Sequence, residues 1–236
     1  MRKMTMMLML SVAVLLVAAT AQAAVVNVDI QANGGSLASG RAAAPDASGN
    51  TTWNEMTTGS VTDLTASDGS ATTIDVSLSG AQGFTNQPGP NNLVKDRIYE
   101  HRTHDDNAFT FTISGLANST SYDIYLYGAY DSRTSIVNFA TDFTIGGVTK
   151  TAQALTSEPT TLDGTGWIEN DHYVKFSVTS SSSGVITGTV SNHDDNNSGT
   201  TGDYGILSGM QIVPEPATMS LLGIGGLLAL VRRRRK

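Results

Sequence analysis

The chain of 236 residues contains no cysteine. Disulfides, thiolate metal sites and cysteine nucleophiles are therefore excluded, and any exported part must rest on its packed core alone. It has no Gly-x-Ser-x-Gly elbow, no His-Glu-x-x-His and no phosphate-binding glycine loop, so no short catalytic signature is present. It has no repeat of solenoid length. Only two tryptophans occur, Trp53 and Trp167. Helical periodicity is scarce through the middle of the chain, where short alternating segments take its place.

Basic residues are also scarce once the ends are set aside. Arg2, Lys3, Arg232, Arg233, Arg234, Arg235 and Lys236 are 7 of the 14 lysines and arginines, whereas Glu215 is the only one of 21 acids outside residues 24–213. The body between the ends thus carries seven basic and twenty acidic residues, a formal net charge of −13. Such a surface keeps the body soluble and repels nucleic acid and acidic membranes, which leaves cations and neutral glycans as partners.

The N-terminus reads as a processing signal. Arg2 and Lys3 precede an apolar run from Leu8 to Ala19, and Ala21-Gln22-Ala23 places Ala21 and Ala23 at the small-residue positions of a cleavage site. Residues 1–23 are expected to form a secretory signal helix, cut after Ala23. At the other end, residues 217–231 form an apolar run of 15 residues containing Gly223, Gly225 and Gly226. As a helix it spans roughly 22 Å, short of a hydrocarbon core of about 30 Å. Arg232 to Lys236 hold its end on the cytoplasmic side, so the run suits a transmembrane helix that holds the chain transiently in the inner membrane. Pro214 and Pro216 keep the preceding residues extended, as a peptide presented to a processing enzyme must be.

The order Pro214-Glu215-Pro216, short glycine-containing apolar helix, then Arg232-Arg233-Arg234-Arg235 resembles the PEP-CTERM sorting signal of exported bacterial proteins. The resemblance implies a sorting segment over 214–236. It further implies recognition by exosortase, a membrane cysteine protease-transpeptidase, with cleavage near Pro214–Pro216. It also implies delivery to the cell envelope or the extracellular matrix, in bacteria that produce exopolysaccharide.

Residues 24–213 suit one domain of 190 residues, large enough for its own core. Val26, Val28 and Ile30 alternate with Asn27 and Asp29, and the same pattern recurs at Ile74–Leu78, Phe109–Ile113, Tyr122–Leu126, Val174–Val178 and Ile206–Ile212. Each segment predicts a strand with one buried and one wet face. Gly146-Gly147 predicts a tight hairpin between Phe143–Ile145 and Val148–Thr149. Ser180–Ser183 reads as a flexible hairpin turn. Leu116…Thr120-x-Tyr122 has the spacing of a tyrosine corner, which bridges two sheets. The expected fold is an all-β antiparallel jelly-roll or Greek-key sandwich. The segments Trp53-Asn54, "FTFTISGLANSTSYDIYLYGA" and "YGILSGMQIV" resemble galactose-binding-like sandwich domains, which implies that fold and points toward carbohydrate contact.

Candidate sites follow from chemistry. Asp105, Asp106 and Asn107 after His104, and Asp194, Asp195 and Asn196 after His193, offer oxygens of the kind Ca²⁺ takes, so a structural calcium is a candidate cofactor. The same residues also serve simply as turn formers. Zinc would need the fold to bring His101, His104, His172 and His193 together. Trp53 with Asn54 and Glu55, and Trp167 with Glu169 and Asn170, pair a stacking ring with hydroxyl-binding groups and are candidate glycan contacts; core placement is their alternative. Tyr125 and Tyr127, opposite the core face, offer a second aromatic patch. The functional expectation is a non-enzymatic module that contacts exopolysaccharide or has a structural role. A polysaccharide hydrolase or lyase is the alternative, and so is a surface protein without ligand.

Overall fold

The computed structural model describes residues 24–31, 35–45, 52–81, 83–86, 91–101, 108–128, 140–153, 160–193 and 204–215. Within it Ala24–Val213 forms one compact unit. Its elements in chain order are β1 (Val26–Ile30), β2 (Trp53–Met56), β3 (Ser60–Val61), β4 (Asp75–Ser79), β5 (Gly83–Asn86), a one-turn α1 (Asn92–Lys95) and β6 (Asp96–His101). There follow β7 (Ala108–Ser114), β8 (Ser121–Tyr127), β9 (Thr141–Ile145), β10 (Val148–Ala152), β11 (Tyr173–Thr179), β12 (Ile186–Asn192), β13 (Tyr204–Leu207) and β14 (Gly209–Pro214). Among the described residues no helix is long and apolar enough to cross a membrane; the two helices expected at the chain ends lie outside those residues.

The strands build a five-stranded sheet in the order β11-β8-β14-β1-β2, a six-stranded sheet β10-β9-β12-β7-β4-β3, and a small sheet β13-β6-β5. The pairings for which register is defined are antiparallel except β1 with β2, which run parallel with Asn27 opposite Trp53. Connections from β7 to β8, β8 to β9, β10 to β11 and β11 to β12 each pass from one large sheet to the other, as a Greek-key sandwich requires.

The inner faces interdigitate. Val28, Ile124, Leu126, Val174, Met210 and Ile212 from the five-stranded sheet meet Val76, Phe109, Phe111, Ile113, Phe143 and Val190 from the six-stranded one. All of them are fully buried. Truncating one of these phenylalanines to alanine costs about 3–5 kcal/mol by the usual sum of transfer and cavity terms.

Local rules hold where the chain turns. Gly146 and Gly147, at φ 59° and 80°, make the β9–β10 hairpin, with Val148 facing Ile145. The tyrosine corner forms as expected: the Ala117 N–H donates to the Tyr122 hydroxyl at 3.0 Å. Ser180–Ser183 departs from the expectation of a flexible hairpin. β11 and β12 belong to different sheets, so this turn is a crossover. Ser180 is buried, its hydroxyl donates to the Ala117 carbonyl at 2.6 Å and accepts from the Thr120 N–H at 3.0 Å. The serines tie the crossover to the tyrosine corner beside it.

The outer face of the five-stranded sheet also departs from the expected pattern. β1 is buried along its whole length, including Asn27 and Asp29, and Tyr125 and Tyr127 of β8 are buried on the side away from the main core. A second apolar cluster covers that face. It joins Val25, Trp53, Tyr125, Tyr127 and Val213 to Ala38, Ala42, Ala44, Leu93 and Leu162. Residues 35–45 lie over the sheet as a strap, held by buried polar side chains. Gln211 Nε2 donates to Asn27 Oδ1 at 2.7 Å and to the Arg41 carbonyl at 2.9 Å, while Gln211 Oε1 accepts from the Ala44 N–H at 2.9 Å and from the Tyr127 hydroxyl. The Tyr127 hydroxyl accepts from the Ala43 N–H at 2.8 Å, and Trp53 Nε1 donates to the Gly40 carbonyl at 2.8 Å. Buried amides and hydroxyls are tolerated here because they satisfy one another and the strap backbone.

Candidate functional site

β10 is a terminal strand of one large sheet and β11 of the other, and the two strands adjoin. A cleft of about 300 Å³ lies between them. Ile145, Val148, Phe176 and Val178 give it carbon surface, and Lys150, Glu169, Lys175 and Ser177 give it polar groups. Val148 is 55% exposed, an unusual state for a large apolar side chain in this body.

Each polar group is held in place. Lys150 Nζ donates to the Lys175 carbonyl across the gap and sits 5.4 Å from the centre of the Phe176 ring. Its distance to Glu169 Oε1 is 3.7 Å, an ion pair without a direct hydrogen bond, and both side chains are about one-third exposed or more. Lys175 Nζ lies 2.8 Å from Asp123 Oδ2 and 5.6 Å from the centre of the Tyr125 ring. Its hydrogen bond to Asp123 is the main cause of a raised lysine pKa, so it remains charged. Ser177 Oγ donates to the other oxygen of Asp123 at 2.6 Å. Glu169 is positioned by a tight turn. The Asn170 N–H donates to the Tyr173 carbonyl at 2.7 Å, the Gln153 N–H donates to the Asn170 carbonyl at 3.1 Å, and Asn170 takes a left-handed φ of 63°, which asparagine tolerates better than most residues.

Beside the cleft, Tyr173, Tyr125, Tyr127 and Trp167 form a stack of rings. Tyr125 and Tyr173 are 5.7 Å apart between centres, and Trp167 meets Tyr127 edge-on at 5.0 Å and His172 at 6.0 Å. Trp167 and Tyr173 are half-buried. Burial, then the charge of Glu169, raises the Tyr173 hydroxyl pKa, so it stays protonated near neutrality. Trp167 Nε1 is buried without a partner.

The structure separates the two tryptophan groups by burial. Trp53 is 4% exposed and offers no ring face to a ligand, because the strap covers it. The Asn54 amide is used inside the body: it donates to the Asn27 and Thr65 carbonyls at 2.8 and 2.7 Å and accepts from the Thr65 N–H at 2.8 Å. Glu55 is exposed on the edge strand β2. Of the second group, Glu169 enters the cleft, while Asn170 and Trp167 flank it. Tyr125 and Tyr127 are buried and make no exposed patch. Lys150, Lys175, Asp123 and Ser177 were not among the sequence candidates. The signal available for them was the lysine at a wet position of each of two strands, Val148–Ala152 and Tyr173–Thr179.

Asp105, Asp106, Asn107, Asp194, Asp195 and Asn196 lie outside the described residues, as do Ala21, Ala23, Pro216 and Arg232–Arg235. Among the described residues no group of three or more His, Asp or Glu side chains is arranged to hold a metal ion. His172 is buried, with Nδ1 accepting from the Ile168 N–H at 3.1 Å, and His193 Nδ1 faces Asp142 at 3.0 Å.

Residues 213–236 match the PEP-CTERM protein-sorting motif. No curated protein matches the chain. Among solved structures, the ANX2 ectodomain from Arabidopsis thaliana aligns with a TM-score of 0.40 and 12% identity, over 58% of this chain and 40% of that one. The chain thus spans two fifths of that ectodomain's length. A family 35 carbohydrate binding module from Clostridium thermocellum aligns with a TM-score of 0.33 and 14% identity, over 58% of this chain and 91% of that one. The CBM22-1 xylan-binding domain of Paenibacillus barcinonensis Xyn10C aligns with a TM-score of 0.28 and 13% identity, over 60% and 81%. By its own sheets the body is a β-sandwich, antiparallel except at β1–β2, and the chain carries a C-terminal sorting signal. The motif implies export, a sorting segment anchored in the cell envelope, and processing by an exosortase.

Proposed function

We propose that this protein is a non-catalytic module of the cell surface or extracellular matrix that contacts neutral polysaccharide through the β10–β11 cleft. One observation carries the reading: a lysine–carboxylate pair, Lys150 and Glu169, stands 3.7 Å apart at a cleft that also presents apolar side chains, Val148 the most exposed of them. A sugar hydroxyl is both donor and acceptor. It can accept from Lys150 and donate to Glu169, bridging a gap too long for the two to bond directly. The carbon face of a pyranose ring suits the exposed Val148, and a volume of about 300 Å³ is at the small end of ligand sites. A hydrolase or lyase reading has less support. Glycoside hydrolysis uses two carboxylates about 5–9 Å apart, whereas Glu169 is the only acid among the described residues that line the cleft.

The test is a binding screen of purified Ala24–Val213 against neutral polysaccharides, followed by Glu169→Gln and Lys150→Met. Each variant removes one side of the hydroxyl bridge and is expected to weaken binding by about tenfold, as loss of a charge-assisted hydrogen bond does. Binding that survives both substitutions would place the contact elsewhere. Absence of binding to any glycan would end the proposal.

A further inference from the structure

The sorting motif begins inside the folded body. Pro214, its first proline, is the last residue of β14, and β14 is the central strand of the five-stranded sheet, between β8 and β1. Gln211, Ile212 and Val213, which precede the Pro-Glu-Pro triplet, are 0%, 0% and 6% exposed. Ile212 pairs with Val26 and Gln211 with Asn27. The Gln211 side chain is further fixed by the four hydrogen bonds that tie the strap down. A protease takes its substrate as an extended peptide several residues long on each side of the cut, and native proteins are nicked at exposed, mobile segments. Cleavage near Pro214–Pro216 needs the stretch Gln211–Val213, whose Gln211 and Ile212 are already paired with β1 in a strand that β8 flanks on its other side.

We infer that completion of the five-stranded sheet and processing of the sorting signal compete for the same residues, so that the exosortase acts on chains whose β14 end is open. This rests on the reading that an exosortase processes the chain. The open form arises either before β14 pairs or by fraying of its last residues. In both cases the rate follows the fraction of chains with β14 detached, as proteolysis of a transiently opened state does. No linker separates body from signal: only Glu215 and Pro216 lie between Pro214 and the apolar run that begins at Ala217. The fold therefore sets how quickly the precursor matures. A fast-folding body is retained longer as precursor, and a weakened one is released sooner.

The experiment follows precursor and processed forms of the full chain by intact mass in membranes that contain an exosortase. An insertion of eight Gly and Ser residues between Val213 and Pro214 frees the motif without touching the core, and is expected to raise the initial rate about tenfold or more, the inverse of a small open fraction. Ile212→Ala loosens β14 without lengthening the chain and is expected to raise the rate in the same direction; circular dichroism verifies that it folds. Equal rates for the native, inserted and Ile212→Ala chains would overturn the inference and leave exosortase processing intact. No processing of any form, including the inserted one, would overturn both. Replacing Pro214, Glu215 and Pro216 by alanine in the inserted chain is expected to abolish the cut, which ties the signal to the motif.

Discussion

Asp29 lies at 0% exposure under the strap. Its Oδ2 accepts from Gln31 Nε2 at 2.9 Å and from the Ala38 N–H at 2.7 Å, and its Oδ1 has no partner. Burial pushes the carboxyl up to about 7; the Gln31 and Ala38 hydrogen bonds oppose the shift, and the charges of Asp96 and Glu55 add to it. The native state therefore keeps a proton that the unfolded chain has already released between about pH 4 and pH 7. Folded-state proton uptake in that window means that stability falls as pH rises through it, then levels off above about 7. A shift of about three units corresponds to at most about 4 kcal/mol. Asp29→Asn imitates the protonated carboxyl at every pH and is expected to remove most of the fall. Urea midpoints near pH 5 and pH 8 for both proteins check this. A native protein equally stable at the two pH values would show that Asp29 is ionised when folded.

The strap over 35–45 depends on one side chain more than on any other. Gln211 supplies two donors and an acceptor to Asn27, Arg41, Ala44 and Tyr127 from the middle of β14. Gln211→Leu keeps the volume and leaves those buried groups short of partners, at an expected cost of roughly 3–5 kcal/mol. Hydrogen exchange should show the Ala43 and Ala44 amides opening first, ahead of β7, β9 and β12. Simultaneous exchange of all of them would mean that the strap is not a separate unit of stability.

Sequence patterns went furthest where one face of a strand meets the core and the other meets water. β7 obeys that rule at every residue from Phe109 to Ser114, and the Gly146-Gly147 hairpin and the Tyr122 corner follow from local chemistry alone. The rule fails for β1 and β8, because Asn27, Asp29 and Tyr127 look solvent-facing in a period of two yet lie beneath a strap that no local signal announces. The parallel pairing of β1 and β2 escapes for the same reason: it is a tertiary choice, made by residues about 26 apart. Of the candidate site, Glu169 and Asn170 could be read from their neighbour Trp167. Lys150 and Lys175 could not, because their meeting depends on the terminal strands of two sheets adjoining.

Charge over the whole body decides what can approach the cleft. With seven basic and twenty acidic residues in 24–213, the long-range field repels anions, although Lys150 and Lys175 are both at the cleft. Both lysines have acidic neighbours, Glu169 and Asp123, so they present little field beyond contact distance. A neutral glycan feels neither the repulsion nor the screening. Its affinity is expected to change less than about twofold between roughly 0.05 and 0.5 M NaCl, where the Debye length shrinks from more than 10 Å to a few ångströms. An acidic polysaccharide should bind more weakly than its neutral counterpart at low salt, and that difference should narrow as salt screens the repulsion. Isothermal titration at the two salt concentrations, with one neutral and one uronate-bearing polysaccharide, separates the cases. Tighter binding of the acidic polymer at low salt would mean that the cleft lysines act as a cationic patch against the field of the body. The hydroxyl bridge between Lys150 and Glu169 would then give way to direct pairing of Lys150 with a carboxylate of the ligand.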